Sequence, residues 1–255
     1  MGRQLHLYVL LGLLLALLSA CSSSDDAWQR IQEEGILRVG LDPTYPPFET
    51  ADDGPLQGLD VDLAHALGRE LGVTVNFAYF GYDGLYDALA TGQVDVLLSA
   101  LVIQPERTRD FAYSNPYFNA GQLLVIRQAE TAISQMADLS GRRLAVEIGS
   151  QGHVEAITWS RRLPGLTIVS YNTPDEALAA TAVNETDATL TDAVSARLYL
   201  QREPALRLAA AAVTVEPYAL VVRKDDQSLL AQLNAGLGRL RAAGELERII
   251  GRWLD

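Results

Sequence analysis

Few side chains in this sequence can do chemistry, and their spacing argues against most of what they could do. Ser150, His153 and Asp192 are the residue types of a hydrolase triad. No Gly-x-Ser-x-Gly elbow surrounds Ser150, however, and His153, three residues on, reads more simply as the first turn of a helix. Metal chemistry is poorer still. His6 falls in an apolar leading run, His65 in an amphipathic helix pattern, and the one cysteine, Cys21, has no second thiol to join it. No catalytic residue, metal or cofactor is expected. What remains is the chemistry of binding. Arg107 lies in Glu106-Arg-Thr-Arg109, which composition reads as surface, and Asp192, just before Ala193–Leu200, reads as a helix N-cap. Gly149-Ser-Gln-Gly152 reads as a tight turn, and Tyr45 and Tyr82 as packing aromatics.

The elements that position these residues follow α/β grammar, short β-branched or apolar runs alternating with helical stripes. Leu37–Leu41, Val73–Tyr79 and Val94–Leu98 are predicted strands. Between them run a helix over Asp60–Leu71, with Leu63, Ala64, Leu67 and Leu71 on one stripe, and another near Leu85–Leu89 that stops at Gly92. A second set begins at Arg143 and continues through Ile168, a helix over Pro174–Ala182 and a strand over Ala188–Leu190. Gln122–Ile126 and Tyr218–Val222 flank this second set and are predicted to be the hinge strands that carry the chain out and back. Two amphipathic helices separated at Gly244 close the sequence. The expected organisation is lobe 1 over 31–125 and 219–255 and lobe 2 over 126–218.

Of the 255 residues, 49% are hydrophobic and 20% charged, which suits one or two ordinary cores. The net charge of −12 disfavours nucleic acid as a partner. The leading segment is different in kind: Arg3, then an apolar or small run from Leu7 to Ala20, ending Leu18-Ser-Ala-Cys21. It is too short to span a bilayer and reads as an export signal over 1–20. Cys21 resembles the acylated residue of a bacterial lipobox, with 21–30 as a tether. Acyl chains contribute about 0.8 kcal/mol per buried methylene, so this implies a lipid-anchored protein of the cell envelope, facing the periplasm or the exterior.

Five motifs, in order and spacing, resemble the extracellular solute-binding proteins of polar amino acid ABC importers: Leu41-Asp-Pro-Thr-Tyr-Pro-Pro-Phe-Glu49, Gly58-Leu-Asp-Val-Asp-Leu63, Pro105-Glu-Arg107, Ser114-Asn-Pro-Tyr117 and Gly244-Glu-Leu-Glu-Arg-Ile-Ile-Gly-Arg-Trp253. The resemblance implies a two-lobed periplasmic-binding-protein-like α/β fold (Venus flytrap) with the ligand in the cleft. It also implies a monomer that binds a small amino acid and delivers it to a permease and its ATPase. An amino-acid-sensing component, or a dehydratase-type enzyme on the same fold, is the alternative.

Carried over residue by residue, the resemblance gives Arg107 the ligand carboxylate through its planar fork, and Asp192 the α-ammonium. Tyr45 and Tyr82 become aromatic walls, Phe48 either a third such wall or core support for the Tyr45 loop, Ser99 a further ligand-binding residue, Val102 part of the carboxylate side, and Ser150 and Gln151 an anion nest opening a helix. Asp42 and Glu147 approach the end of the ligand side chain from the two lobes, which favours a cationic or polar one. Two departures weaken the carboxylate site: Val102 stands where the family has a hydroxyl, and Gln104 replaces a Thr.

Overall fold

The computed structural model describes residues 27–51 and 54–254. The expected export signal and the lipidation at Cys21 lie outside them. The folded body starts earlier than the tether expectation placed it. Ala27–Glu34 forms a helix, α1, because Ala27 and Ile31 share one buried face four residues apart.

Two five-stranded sheets form the lobes. The first takes β1 (Ile36–Leu41), β4 (Thr74–Tyr79), β5 (Val96–Leu97), β6 (Phe111–Tyr113) and β14 (Val221–Arg223), in the spatial order β4-β1-β5-β14-β6. The second takes β8 (Gln122–Arg127), β9 (Arg143–Glu147), β10 (Thr167–Tyr171), β11 (Ala188–Asp192) and β12 (Leu206–Ala212), in the order β10-β9-β11-β8-β12. In each, four strands run in one direction and one, β14 in the first sheet and β8 in the second, runs against them. Helices cover them: α2 (Leu59–Leu71) and α3 (Leu85–Ala90) in the first lobe, α4 (Gln151–Ser160), α5 (Pro174–Ala182) and α6 (Ala193–Leu200) in the second. The closing helices α7 (Gln227–Ala242) and α8 (Glu245–Leu254) pack back on α2. Gly244, at φ +68°, breaks them apart where a side chain would be strained. No helix among the described residues is long and apolar enough to cross a membrane.

Both sheets are tied down by the same device. Asp95, just ahead of β5, is fully buried and accepts from the backbone N–H of Arg38 (3.0 Å) and from its guanidinium (2.7 Å), with Arg30 as a second ion-pair partner. Asp187, just ahead of β11, accepts from the backbone N–H of Arg143 (2.7 Å) and from its Nε (3.3 Å). In each case one carboxylate staples the start of a strand to its neighbour.

The hinge is not where the sequence placed it. Gln122–Arg127 is wholly a strand of the second sheet, its Leu124, Val125 and Ile126 buried, and Val221–Arg223 belongs to the first sheet. The chain crosses instead through two very short strands, β7 (Phe118–Asn119) and β13 (Pro217–Tyr218), paired antiparallel. Asn119 Oδ1 accepts from the N–H of both Gly121 (3.2 Å) and Glu216 (2.7 Å), locking the crossing. A Cβ on Gly121 would stand 2.2 Å from the carbonyl oxygen of Thr214. Gly121→Ala is therefore expected to lower the unfolding free energy by about 2 kcal/mol or more, through a backbone clash. Gly238→Ala, in the exposed middle of α7 with nothing within 4 Å, should leave stability unchanged or raise it by up to about 1 kcal/mol. Denaturant titration of the two variants checks both signs.

Candidate ligand-binding site

Two cavities face each other across the crossing strands. The first, of about 420 Å³, opens at the carboxyl ends of β1 and β5 and is lined by Asp42, Thr44, Tyr45, Glu49, Tyr82, Ser99, Ala100, Val102 and Tyr218. Asp42 organises it. Its backbone N–H donates to Ser99 Oγ (3.0 Å), its Oδ1 accepts from Thr44 Oγ1 (2.8 Å) and its Oδ2 accepts from the N–H of Tyr82 (2.8 Å). Three loops are thereby drawn around one residue. Tyr45 and Tyr82 are left 49% and 54% exposed, a large uncovered aromatic area for residues of this size.

The second cavity, of about 250 Å³, takes Glu147 from the end of β9, Ser150 and Gln151 from the start of α4, Thr191 and Asp192 from the end of β11, and Gln122 and Glu216 from beside the crossing. Tyr45 and Tyr218 line both cavities. Ser150 caps α4, its Oγ accepting from the N–H of His153 (3.1 Å) and donating to the carbonyl of Glu147 (2.8 Å). Gly149, at φ +80°, gives its N–H to His153 Nδ1 (3.2 Å). The imidazole therefore braces the turn and is not bonded to the serine hydroxyl. With Gly149 engaged, the first-turn N–H groups of Gln151 and Gly152 are the donors that helix geometry leaves for an anion. Asp192 caps α6, with Oδ1 accepting from Val194 (3.0 Å) and Ser195 (2.9 Å), so the cap uses only one of its two oxygens.

The structure thus gathers Asp42, Tyr45, Tyr82, Ser99 and Val102 on one side and Glu147, Ser150, Gln151 and Asp192 on the other. Phe48 does not join them. It is fully buried beneath the site, stacked on Tyr45 at 5.8 Å and edge-on to Phe118 and Tyr218, because an apolar ring between two crossing strands is worth more in the core than in the cleft. Arg107 is not among the lining residues of either cavity. Its guanidinium lies 4.1 Å above the Tyr86 ring, and its Nε donates to Gln104 Oε1 (2.5 Å). Ser99 lines the first cavity, but its hydroxyl proton goes to Glu49 Oε1 (2.6 Å). With Val102 lacking a hydroxyl, neither residue has a proton free for a ligand carboxylate.

Sequence reading missed Glu49, Glu216 and Tyr218 as lining groups, and Asp60 as the partner of Glu49. Asp60 lies on the apolar stripe of α2, three and four residues before Leu63 and Ala64, and a charge on that stripe was the available signal. It is fully buried, and its Oδ2 accepts from the N–H of Ala100 (2.7 Å) and the hydroxyl of Tyr117 (2.8 Å). Those bonds hold Ala100 at φ +47°, an uncommon backbone conformation on the cavity wall. Burial pushes both carboxyls up, Asp60 to about 7 and Glu49 to about 10; the Asp60 charge raises Glu49 further, while hydrogen bonds from Ala100, Tyr117 and Glu49 restrain Asp60.

A family model, "Bacterial extracellular solute-binding proteins, family 3", matches residues 37–255. The chain belongs to this family. As a family 3 solute-binding protein it is 29% identical to the L-cystine-binding protein TcyJ of Escherichia coli strain K12, over 99% of this chain and 96% of that one. Among solved structures it resembles the unliganded, open L-cystine solute receptor of Neisseria gonorrhoeae (TM-score 0.79, 28% identity, 89% of this chain and 95% of that one). An ancestral arginine-binding protein bound to arginine is more alike in sequence, at 32% over 87% and 99% of the two chains, yet superimposes less well, with a TM-score of 0.52. The two-lobed fold expected from the sequence is the fold observed.

The buried pair makes the stability of this solute-binding protein depend on pH in a definite sense. In the folded state the carboxyls keep protons that the unfolded chain releases near the ordinary range of about 4. Their contribution is complete below that range and is lost as pH rises through the raised values. The thermal midpoint of the wild type is expected to fall between about pH 5 and about pH 9, and that of Glu49→Gln to fall less. Calorimetric scans across that range measure it; a steeper fall in the variant contradicts the assignment.

Proposed function

We propose that this protein is the substrate-binding component of an ABC-type importer, taking up an amino acid with a polar or cationic side chain outside the cytoplasmic membrane and presenting it to the permease. One observation carries the preference for a cation: Asp42, Glu49, Glu147, Asp192 and Glu216 line the two cavities, and among the described residues neither Arg nor Lys does. An anionic side chain would meet only like charge there. Tyr45, Tyr82 and Tyr218 supply faces that exclude water and tolerate a cation.

A zwitterion leaves water only if each charge finds a partner. In this reading Asp192 takes the α-ammonium with the oxygen that its cap leaves over. The N–H groups at the start of α4 and the fork of Arg107, swung off Tyr86 at the cleft rim, take the carboxylate. Asp42 and Glu147 attract the far end of the side chain. Because these groups belong to different lobes, one ligand reaches all of them only when the lobes approach about β7 and β13. The better match to an open, unliganded relative than to an arginine-bound one supports a ligand-free shape with the lobes apart. Acylation of Cys21 would hold the monomer at the membrane surface.

Titration calorimetry with L-arginine, L-glutamine, L-glutamate and L-cystine tests the ligand class. Arginine is expected to bind more tightly than glutamine, and glutamate weakest; tightest binding of glutamate defeats the reading. Cystine as the tightest ligand would keep the amino acid function, which its relatives' names support, and overturn the cationic side chain.

Two substitutions at one position separate anchoring from folding. Asparagine caps a helix as well as aspartate, so Asp192→Asn should leave the thermal midpoint nearly unchanged while weakening binding by about 3 to 5 kcal/mol. Asp192→Ala should lose binding and also about 1 kcal/mol of stability. Arg107→Ala is expected to weaken binding by a similar 3 to 5 kcal/mol with no loss of stability, since its side chain is exposed. Binding within tenfold of wild type in either Asp192→Asn or Arg107→Ala removes that residue from the site.

A further inference from the structure

Glu49 and Asp60 are forced together by the backbone. Glu49 opens the short strand β3 (Glu49–Thr50), paired with β2 (Thr44–Tyr45), and Asp60 sits in the first turn of α2, where its N–H donates to the carbonyl of Phe48 (2.9 Å). Gly58 stands so near that a Cβ there would lie 2.0 Å from that same carbonyl oxygen, so nothing fits between the two segments. Both carboxyls are fully buried. Each has one satisfied oxygen, Glu49 Oε1 through Ser99 and Asp60 Oδ2 through Ala100 and Tyr117. The other oxygen of each, Glu49 Oε2 and Asp60 Oδ1, is buried with no donor.

Every group facing the pair is acidic or neutral: Asp42 from the loop after β1, Ser99 and Ala100 from the loop after β5, Tyr117 from the approach to β7, and Tyr218 from β13. No Arg or Lys among the described residues makes an ion pair with either carboxyl. The contrast is with Asp95, equally buried but held between Arg30 and Arg38. Two buried carboxylates without a cation are untenable, and two orphan oxygens without a donor are costly. One proton placed between Glu49 Oε2 and Asp60 Oδ1 resolves both. Though it has no exposed surface, Glu49 borders the first cavity next to Asp42.

We propose that Glu49 and Asp60 share a single proton in the cavity wall, and that a cationic ligand group seated beside Asp42 and Glu49 expels it, so that uptake of a cationic solute is coupled to proton release. The second half rests on the cationic-ligand reading above. The balance is simple: the ligand cation enters, the Glu49–Asp60 carboxyl proton leaves to buffer, and no bond in the ligand changes. Linkage is reciprocal, so affinity for the cation rises with pH, by up to tenfold per pH unit for each proton displaced. A neutral side chain at the same position displaces none.

Calorimetry of the full chain at about pH 8, in two buffers of different ionisation enthalpy, counts the protons. L-Arginine should release roughly a third of a proton or more beyond L-glutamine, a comparison in which their shared α-ammonium cancels, and Glu49→Gln should abolish the difference. Equal release for the two amino acids in the wild type, or an unchanged difference in Glu49→Gln, overturns the coupling. Infrared spectra of the ligand-free protein at the same pH test the pair by itself. The wild type should show the stretch of a buried protonated carboxyl that Glu49→Gln lacks, and its absence from the wild type overturns the shared proton. If neither amino acid binds, the ligand reading fails and the coupling with it, while the infrared result still judges the pair.

Discussion

One ring carries more of this structure than its size suggests. Phe48 is packed against Tyr45, the wall shared by both cavities, and against Phe118 and Tyr218, one residue from each crossing strand. Aromatic packing of this kind adds about 0.5 to 1.5 kcal/mol per pair beyond buried area. Its larger consequence is mechanical. The loop that presents Asp42 and Tyr45 and the two strands through which the lobes are joined form one packed body, so a displacement of the binding wall is felt at the crossing.

The second governing constraint is charge without water. Four buried or half-buried aspartates are met in three ways. Asp95 and Asp187 are met by arginines and by backbone N–H groups, and they staple one strand to the next. Asp192 is met by the free N–H groups of a helix end and keeps an oxygen in reserve. Asp60 alone is paired with another acid, beneath the cavity floor. Structural carboxylates are neutralised where they stand; those of the cleft are left to be completed from outside. That difference separates scaffold from site here more clearly than residue type does.

Much of this was legible in the sequence where the pattern was long and periodic. The helix over Pro174–Ala182 and the one following Asp192 have the expected bounds, and the stripe on α2 faces the core as read. Asp192 does cap its helix. The hinge was misread for a physical reason: an unbroken apolar run such as Gln122–Ile126 marks a strand buried on both faces, which belongs inside a sheet, while a crossing strand of two residues leaves almost no pattern. Asp60 escaped because an acid in the first turn of a helix is ordinarily a solvated partner of the dipole, and Asp62, two residues on, does lie nearer the surface, paired with Arg252. Arg107 shows the opposite failing, since a motif fixes its place in the chain but not its rotamer, and the guanidinium has found the Tyr86 ring.

Two lobes, each holding part of a charge-complementary site, are proposed to close on one small ligand about β7 and β13. Small-angle scattering of the purified protein with and without saturating L-arginine tests it most directly. The radius of gyration should be smaller in the presence of the amino acid, and the change should be lost in Asp192→Asn. An identical scattering profile with ligand demonstrably bound would contradict it.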